Sequence, residues 1–309
     1  MSTSVLYKSN HFLWLVFKLF IVIACGFFIY DFITNNEKLK FYDFQSILID
    51  FNVFSTKNIG LLLVFSIFNW FLEITKWRIL VKKVIPISFF TSAKQSLSSL
   101  TFSLITPNRI GEYGAKALCF QKEKRKDILI ANLAGNLYQL LVTTLFGIIG
   151  SMYLINYFSF SLQHIFLLII VSISVLLIII FFLKKFKWFE KIQEAAKQQK
   201  SKSVLILSFL RYLVFSHQFY FLIMLFNLDI SYWDAMACIT SMYLISSFIP
   251  ILSLFDFVVK GSIAVFIFSF FEINLAIILS ITTLMWIYNF AIPAIVGSYF
   301  VITFKPVSL

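Results

Sequence analysis

The sequence predicts an all-α polytopic membrane protein, and three observations carry that reading. Of 309 residues, 60% are hydrophobic and only 13% are charged, with a mean hydropathy of +0.91. A soluble domain carries about a quarter charged residues. Apolar runs of about 20 residues, long enough to cross a bilayer as helices, recur along the chain. The longest stretches between them, residues 34–57 and 184–203, are well short of the roughly 50 residues of a soluble domain. The chain therefore reads as one transmembrane domain over residues 1–309.

The formal net charge is +12. In a soluble protein that would suggest a nucleic-acid partner. Here the basic residues cluster at the ends of apolar runs, where they set topology and attract anionic lipid head groups. Membrane lipids are the expected partners, and no nucleic acid is expected. Cys25, Cys119 and Cys238 lie far apart, in or beside apolar runs, without metal or redox spacing. No metal or cofactor is expected. Val22-Ile23-Ala24-Cys25 superficially resembles a lipoprotein cleavage site. Lys18 interrupts the apolar region before it and many spans follow, so it reads as part of an uncleaved first span.

Six full spans are expected, at about 12–33, 58–80, 128–155, 162–183, 204–226 and 275–304. Two further apolar regions are interrupted. The first, 84–120, follows Lys82 and Lys83 and precedes Lys122, Lys124, Arg125 and Lys126. Both flanks are therefore cytoplasmic by the positive-inside rule. The segment must enter the membrane and return, with Thr106-Pro107-Asn108-Arg109-Ile110-Gly111-Glu112 at its middle. Irregular backbone at membrane depth is tolerated only inside protein or beside a wet cavity. Transporters place substrate sites at such breaks.

Charge orients the rest. Loop 184–203 holds Lys184, Lys185, Lys187, Lys191, Lys197, Lys200 and Lys202 against Glu190 and Glu194, so it is cytoplasmic. The 227–233 link carries Asp229 and no Lys or Arg, so it faces out. Lys8 and Lys305 put both termini in the cytoplasm. The second interrupted region, 233–272, breaks near Pro250 to Asp256 and would enter from outside. Each half, about 1–157 and 158–309, then reads span, span, re-entrant segment, span, in opposite senses. That is an inverted repeat of the kind found in secondary transporters. The alternative is a full hairpin at each break, giving ten spans. The short, polar halves of 84–120 favour re-entrant segments.

Residues 88–103 carry Ser88, Thr91, Ser92, Ser96, Ser98, Ser99, Thr101 and Ser103, which suit close helix packing or a polar cavity wall. At the turn, Thr106 suits an N-cap and Pro107 the first helical position. The short helix that follows would offer free N–H groups and a positive dipole end to an anion. Arg109 adds a planar donor matched to phosphate, and Arg109, Tyr113 and Lys116 share one helical face. The candidate substrate-binding residues are Thr106, Pro107, Asn108, Arg109, Gly111, Glu112, Tyr113 and Lys116. The competing expectation is that Arg109 forms a structural pair with Glu112 or Glu73.

Gate or coupling candidates lie elsewhere. Glu73 is deep in its span and needs a partner, Lys76 or Arg109; it is also a proton-coupling candidate. Asn132, Asn136 and Gln139 form a polar stripe that should face the protein interior. Arg211 and His217 are secondary candidates. Pro250 ends one short helix, and Asp256 can cap the next with Lys260 one turn on. Gly261 permits close approach. Glu73, Asn132, Asn136, Asp256 and Lys260 make up this second set.

Thr106 through Glu112, with Lys116 after it, resembles the T-P-x-R-x-G-E signature of the lysylphosphatidylglycerol synthase transmembrane, or flippase-like, family. Trp77-Arg78 is similar to that family's pattern at the same place. The stretch from Ile249-Pro250 to Lys260-Gly261-Ser262 resembles its second motif, with Asp256 and Lys260 where many members have Gly-Gly-x-Gly-x-x-Glu. The resemblance implies an integral membrane domain that translocates or handles lipids. Members with synthase activity carry it on a separate soluble domain, so aminoacyl transfer and catalytic residues are not expected here. The expected function is translocation of an anionic lipid or lipid-linked intermediate across the cytoplasmic (inner) membrane. Its phosphate would sit at 106–112, with Asp256 and Lys260 as the opposing gate. Nothing resembles a nucleotide-binding loop, so a gradient or proton coupling would drive it. The alternatives are a secondary transporter of a small anion or solute, and a membrane-embedded enzyme acting on lipid phosphates with Glu112 as base.

Overall fold

Polar residues in the middle of the helix Thr56–Val81 face inward, the reverse of a soluble helix. Ser66, Asn69, Glu73 and Lys76, spaced three or four apart, are buried, whereas Val64, Ile67, Phe68 and Phe71 are exposed. Lipid takes the place of water around such a helix, so charge must be hidden inside the protein. The computed structural model describes residues 49, 51, 53–104, 106, 109–157, 201–249 and 256–303. The spans expected at 12–33 and 162–183, most of loop 184–203, Pro107, Asn108, Pro250 and both termini lie outside the described residues.

Described residues form helices α1 (Thr56–Val81), α2 (Phe89–Leu104), α3 (Ile110–Leu118), α4 (Arg125–Leu154) and α5 (Ser201–Leu225). They continue as α6 (Tyr232–Phe248), α7 (Asp256–Phe268), α8 (Leu275–Trp286) and α9 (Ile292–Thr303). Side-chain caps start three of them. Ser55 accepts from the Asn58 N–H before α1, Ser231 from the Asp234 N–H before α6, and Asn274 from the Ala276 N–H before α8. Four helical stretches are long and apolar enough to cross a membrane: Thr56–Val81, Lys122–Leu154, Lys202–Leu225 and Leu275–Thr303. These match the expected spans at 58–80, 128–155, 204–226 and 275–304. Both interrupted regions are built from shorter helices, of 16 and 9 residues in the first and 17 and 13 in the second.

α4 and α6 pack closely because α4 has glycine where they cross. A Cβ on Gly150 would lie 2.0 Å from the Thr240 hydroxyl oxygen, and one on Gly147 would lie 2.3 Å from the Leu244 Cβ. Small residues at such crossings let backbones approach. A larger apolar core joins α5, α6, α7 and α8 through Phe219, Leu222, Ile239, Phe268 and Ile278.

Between α8 and α9 the helix runs on through a π-helical turn, Ile287–Ala291. Here the Ile292 N–H reaches back to the Ile287 carbonyl, five residues away, which releases the Tyr288 carbonyl. Pro293 has no N–H to offer Asn289, four residues before it, so that carbonyl is released too. α1 takes up both: the Ser66 hydroxyl donates to Tyr288 O, and Trp70 Nε1 donates to Asn289 O at 3.1 Å. A π turn of this kind often marks a functional position.

Candidate functional site

A cavity of about 520 Å³ opens where the two interrupted regions meet α1, α4, α5 and the π turn. That is the size of an ordinary ligand pocket. Arg109, Glu112, Tyr113 and Lys116 line it from the first break, and Asp256 and Lys260 from the second. Glu73 and Asn136 also line it. The chain thus brings together in space most of the residues singled out along it.

The first break is held differently from the expectation. α3 does not open at Pro107 under a Thr106 cap. It opens at Ile110, and its N-cap is Arg109, in the left-handed conformation at φ 57°. Thr106 still contributes, from farther back. Its hydroxyl donates to Ser103 O at 3.1 Å and accepts from the Gly111 N–H at 2.8 Å, tying the end of α2 to the start of α3. Gly111 is needed there, because a Cβ would lie 2.3 Å from the Phe102 carbonyl oxygen. The Glu112 N–H bonds to Arg109 O. Two amides expected to be free for an anion are therefore already satisfied, and the side chains carry more of the site's electrostatics than the helix end does.

Lys116 is buried among three partners. It donates to Glu112 Oε1 at 2.6 Å and to Asn132 Oδ1 at 2.8 Å, and lies 4.3 Å from the centre of the Trp77 ring. Asn132 sits behind this lysine rather than on the cavity wall. Asn136 donates to the Tyr113 hydroxyl at 2.9 Å. The inward polar stripe of α4 is thus spent on α3. Gln139, its third member, donates to Ser208 O on α5.

Glu73 does pair with Lys76, at 2.7 Å, but its second partner is Arg211 on α5, also at 2.7 Å, and not Arg109. Arg211 Nε also donates to Asn69, whose amide donates to Asn289, whose amide donates to Gln218. This buried chain joins α1, α5 and the π turn. Sequence reasoning ranked Arg211 too low. A guanidinium in the middle of an apolar span was signal enough. Asn69 and Asn289 are isolated amides within long apolar runs, and Gln218 follows Ser216 and His217 in another, which is the weaker form of the same signal.

Arg109 forms no ion pair among the described residues, with Glu112, Glu73 or any other acid. Its guanidinium lies 4.9 Å from the centre of the Phe290 ring, on the π turn. Lys260 reaches the same ring from the second break, at 5.6 Å, while pairing with Asp256 at 2.6 Å. Asp256 is the first residue of α7 rather than the cap before it, and Gly261 lies 3.2 Å by its would-be Cβ from Leu279. The α2 hydroxyls serve mostly packing. Ser92 donates to Ile74 O, and Ser98, Ser99 and Ser103 to carbonyls of their own helix. Ser96 differs: it lines the cavity, is 3% exposed, and its hydroxyl has no partner among the described residues.

Arg109, Lys116, Arg211 and Lys260 line this cavity with Glu73, Glu112 and Asp256, which leaves one positive charge in excess. Uncompensated charge inside a membrane domain is costly and calls for a counter-ion. Apolar helices and a polar cavity between broken segments define a multi-pass helical membrane protein. The chain belongs to the lysylphosphatidylglycerol synthase TM region family, whose model matches residues 15–297. Neither the curated proteins nor the solved structures compared with the chain give a match.

Proposed function

We propose that this protein is a flippase-like transporter that moves an anionic lipid, or a lipid-linked intermediate, across the cytoplasmic membrane. One observation carries the reading: Arg109 faces a cavity with surplus positive charge and has no carboxylate partner among the described residues. A phosphate would supply the missing counter-charge, and a guanidinium matches it with two parallel hydrogen bonds. Glu112, the base that a lipid-phosphate enzyme would need, is held by Lys116. That supports transport over chemistry, and we assign no catalytic residue.

The helix lengths support a matching topology. An α-helix rises 1.5 Å per residue, so the two helices of the first break are each shorter than a hydrocarbon core of about 30 Å. Both interrupted regions are then re-entrant, the first from the cytoplasm and the second from outside, in two inverted halves with six full spans. Both termini lie in the cytoplasm. A cysteine introduced at position 190 should react only with reagent that crosses the membrane; labelling from outside in intact cells would overturn this orientation.

Arg109→Lys is the direct test of function. It keeps the charge and removes the planar two-point contact. Protein abundance should be unchanged, and transport of an anionic lipid in reconstituted vesicles should fall at least about tenfold, the equivalent of one lost charge-assisted contact. Wild-type lipid transport by a folded Arg109→Lys protein would sink the proposal. Loss of inorganic phosphate uptake, with no lipid movement by the parent protein, would favour the solute transporter instead.

A further inference from the structure

We propose that Lys76 exchanges a proton in each transport cycle: it is neutral while Arg211 holds Glu73, and it takes up a proton when Arg211 turns to the head group of a bound anionic lipid. This rests on the proposed lipid transport and assigns the residue that couples it to protons. Glu73, the coupling candidate of the sequence, becomes the fixed charge beside which the proton comes and goes.

Two cations share one oxygen. Lys76 Nζ and Arg211 Nη1 each lie 2.7 Å from Glu73 Oε2. They are not held equally. Arg211 Nη1 donates a hydrogen bond to that oxygen, and its Nε donates to Asn69. Lys76 Nζ is buried and makes no hydrogen bond among the described residues. An ammonium in that position has lost its water without gaining acceptors for its three donors, which is costly. A neutral amine escapes most of that cost.

Of the three groups, only one can change its charge cheaply. A guanidinium keeps its proton in proteins. Protonating Glu73 would leave two buried cations with no acid. Releasing the Lys76 proton leaves Glu73 and Arg211 as a neutral pair. The surroundings offer the lysine no other acid. Among the described residues, the charged groups that act on it are Glu73 on its own helix, Arg211 from α5 and Lys116 from α3, and Lys116 is already paired with Glu112. α4 meets it with Gly135, whose would-be Cβ lies 3.8 Å from Lys76 Cε. α2 meets the neighbouring Ile74 and Trp77 with Ser92 and Gln95, both neutral.

Access separates the two cations. Arg211 and Glu73 line the cavity, and Arg211 keeps 16% of its side chain exposed; Lys76 lies behind them with 2%. A ligand can therefore reach Arg211 and not Lys76. When the head group draws Arg211 off Glu73 Oε2, Lys76 is the partner left to that carboxylate. A proton then enters from cavity water, crosses the Glu73 carboxylate and stays on Nζ. When the lipid leaves, Arg211 returns and the proton departs by the same oxygen. One negative charge and one proton thus arrive and leave together, and only N–H and O–H bonds are made or broken.

Full-length protein in weakly buffered detergent with a pH-indicator dye provides the test, between about pH 6 and pH 9. Phosphatidylglycerol is the probe, because its single phosphodiester charge does not titrate in that range, and phosphatidylcholine is the control. Wild-type protein should take up close to one proton per phosphatidylglycerol bound at some pH in this range. Its affinity should weaken by up to about tenfold per pH unit there. Lys76→Arg fixes the charge, so it should take up no proton and bind with an affinity that pH leaves unchanged. If the larger guanidinium prevents folding, the double variant Glu73→Gln, Lys76→Met removes both the acid and the exchanging base and should also bind without proton uptake. Infrared difference spectra of the wild-type protein separate the two residues: lipid binding should raise no protonated-carboxyl band. Such a band, lost in Glu73→Gln, would place the proton on Glu73 and overturn the inference. So would phosphatidylglycerol binding through Arg109 without proton uptake, or uptake that persists in either variant; the proposed function would stand in each case. Absence of Arg109-dependent binding of phosphatidylglycerol would overturn the proposed function itself.

Discussion

At the first break the cation Lys116 keeps 2% of its side chain exposed and its partner Glu112 keeps 10%; at the second, Lys260 and Asp256 keep 25% and 21%. Both pairs have the acid four residues before the base, the favourable order on a helix, and both close to 2.6 Å. Their surroundings separate them. Lys116 has Asn132 and the face of Trp77 as further partners, and no room to leave them. Lys260 touches the rings of Tyr243 and Phe290 at 5.6 Å each and opens onto the cavity. The same spacing thus builds a brace in one place and an exchangeable contact in the other. Burial decides which, because a charge that has lost its water cannot give up its partner cheaply.

The largest test of this contrast removes the acid from each pair. Glu112→Gln leaves Lys116 charged and buried, and should cost about 3–5 kcal/mol of stability. Asp256→Asn leaves a cation that water can reach, and should cost about 1 kcal/mol or less. Thermal unfolding of both variants in one detergent measures the difference. Equal losses would mean that the two breaks are held alike.

A middle-sized effect is expected at the glycines that follow the breaks. Gly111→Ala drives a methyl against the Phe102 carbonyl, backbone that cannot step aside. Overpacking of this kind should cost about 1–3 kcal/mol and lower the yield of folded protein. Gly261→Ala meets only the end of the Leu279 side chain and the Thr282 hydroxyl, at 3.2 and 3.4 Å. Better helix propensity offsets that contact, so the change should stay below about 1 kcal/mol. Retention of a monodisperse peak after heating would rank the two.

The smallest effect belongs to Thr106. Thr106→Val keeps the shape and removes the hydroxyl that ties Ser103 to Gly111, at about 1 kcal/mol. Amide exchange at the start of α3 should quicken in that variant and recover in Thr106→Ser. Unchanged exchange would show that Gly111 packing, and not the Thr106 bond, holds the turn.

Much of this site is legible along the chain. The charged turn inside an apolar run, with lysines on both sides, marks the first break. Proline and an i, i+4 acid–base pair mark the second. Local features suffice for these because helix ends, caps and one-turn pairs are set by neighbours in sequence. Partner choice across helices is a different matter. Glu73 could be matched on paper with Lys76 or Arg109; it meets Lys76, and its second partner is Arg211, 138 residues away, and not Arg109. Nothing in the spacing of α1 ranks those partners. The start of α3 differs from the expected one for a related reason. Thr106 and Pro107 have the right chemistry for a helix start, but the close seat of Gly111 on Phe102 and the left-handed Arg109 move the first turn three residues on. Phe290 carried no warning at all, being one phenylalanine among 40.

By itself the sequence determined that this is a membrane domain of apolar helices, where two of its segments break, and which ionisable residues must be sheltered from lipid. Those follow from hydropathy, proline and charge, which act over a few residues at a time. Only the tertiary structure decided that the two breaks share one cavity, that Arg211 and not Arg109 joins Lys76 on Glu73, and that cations of both breaks reach one ring on a π turn. Those are contacts between distant segments, and they depend on how close each pair of helices can come. Small residues such as Gly147 and Gly150 permit that approach, and the packing of the whole bundle sets it.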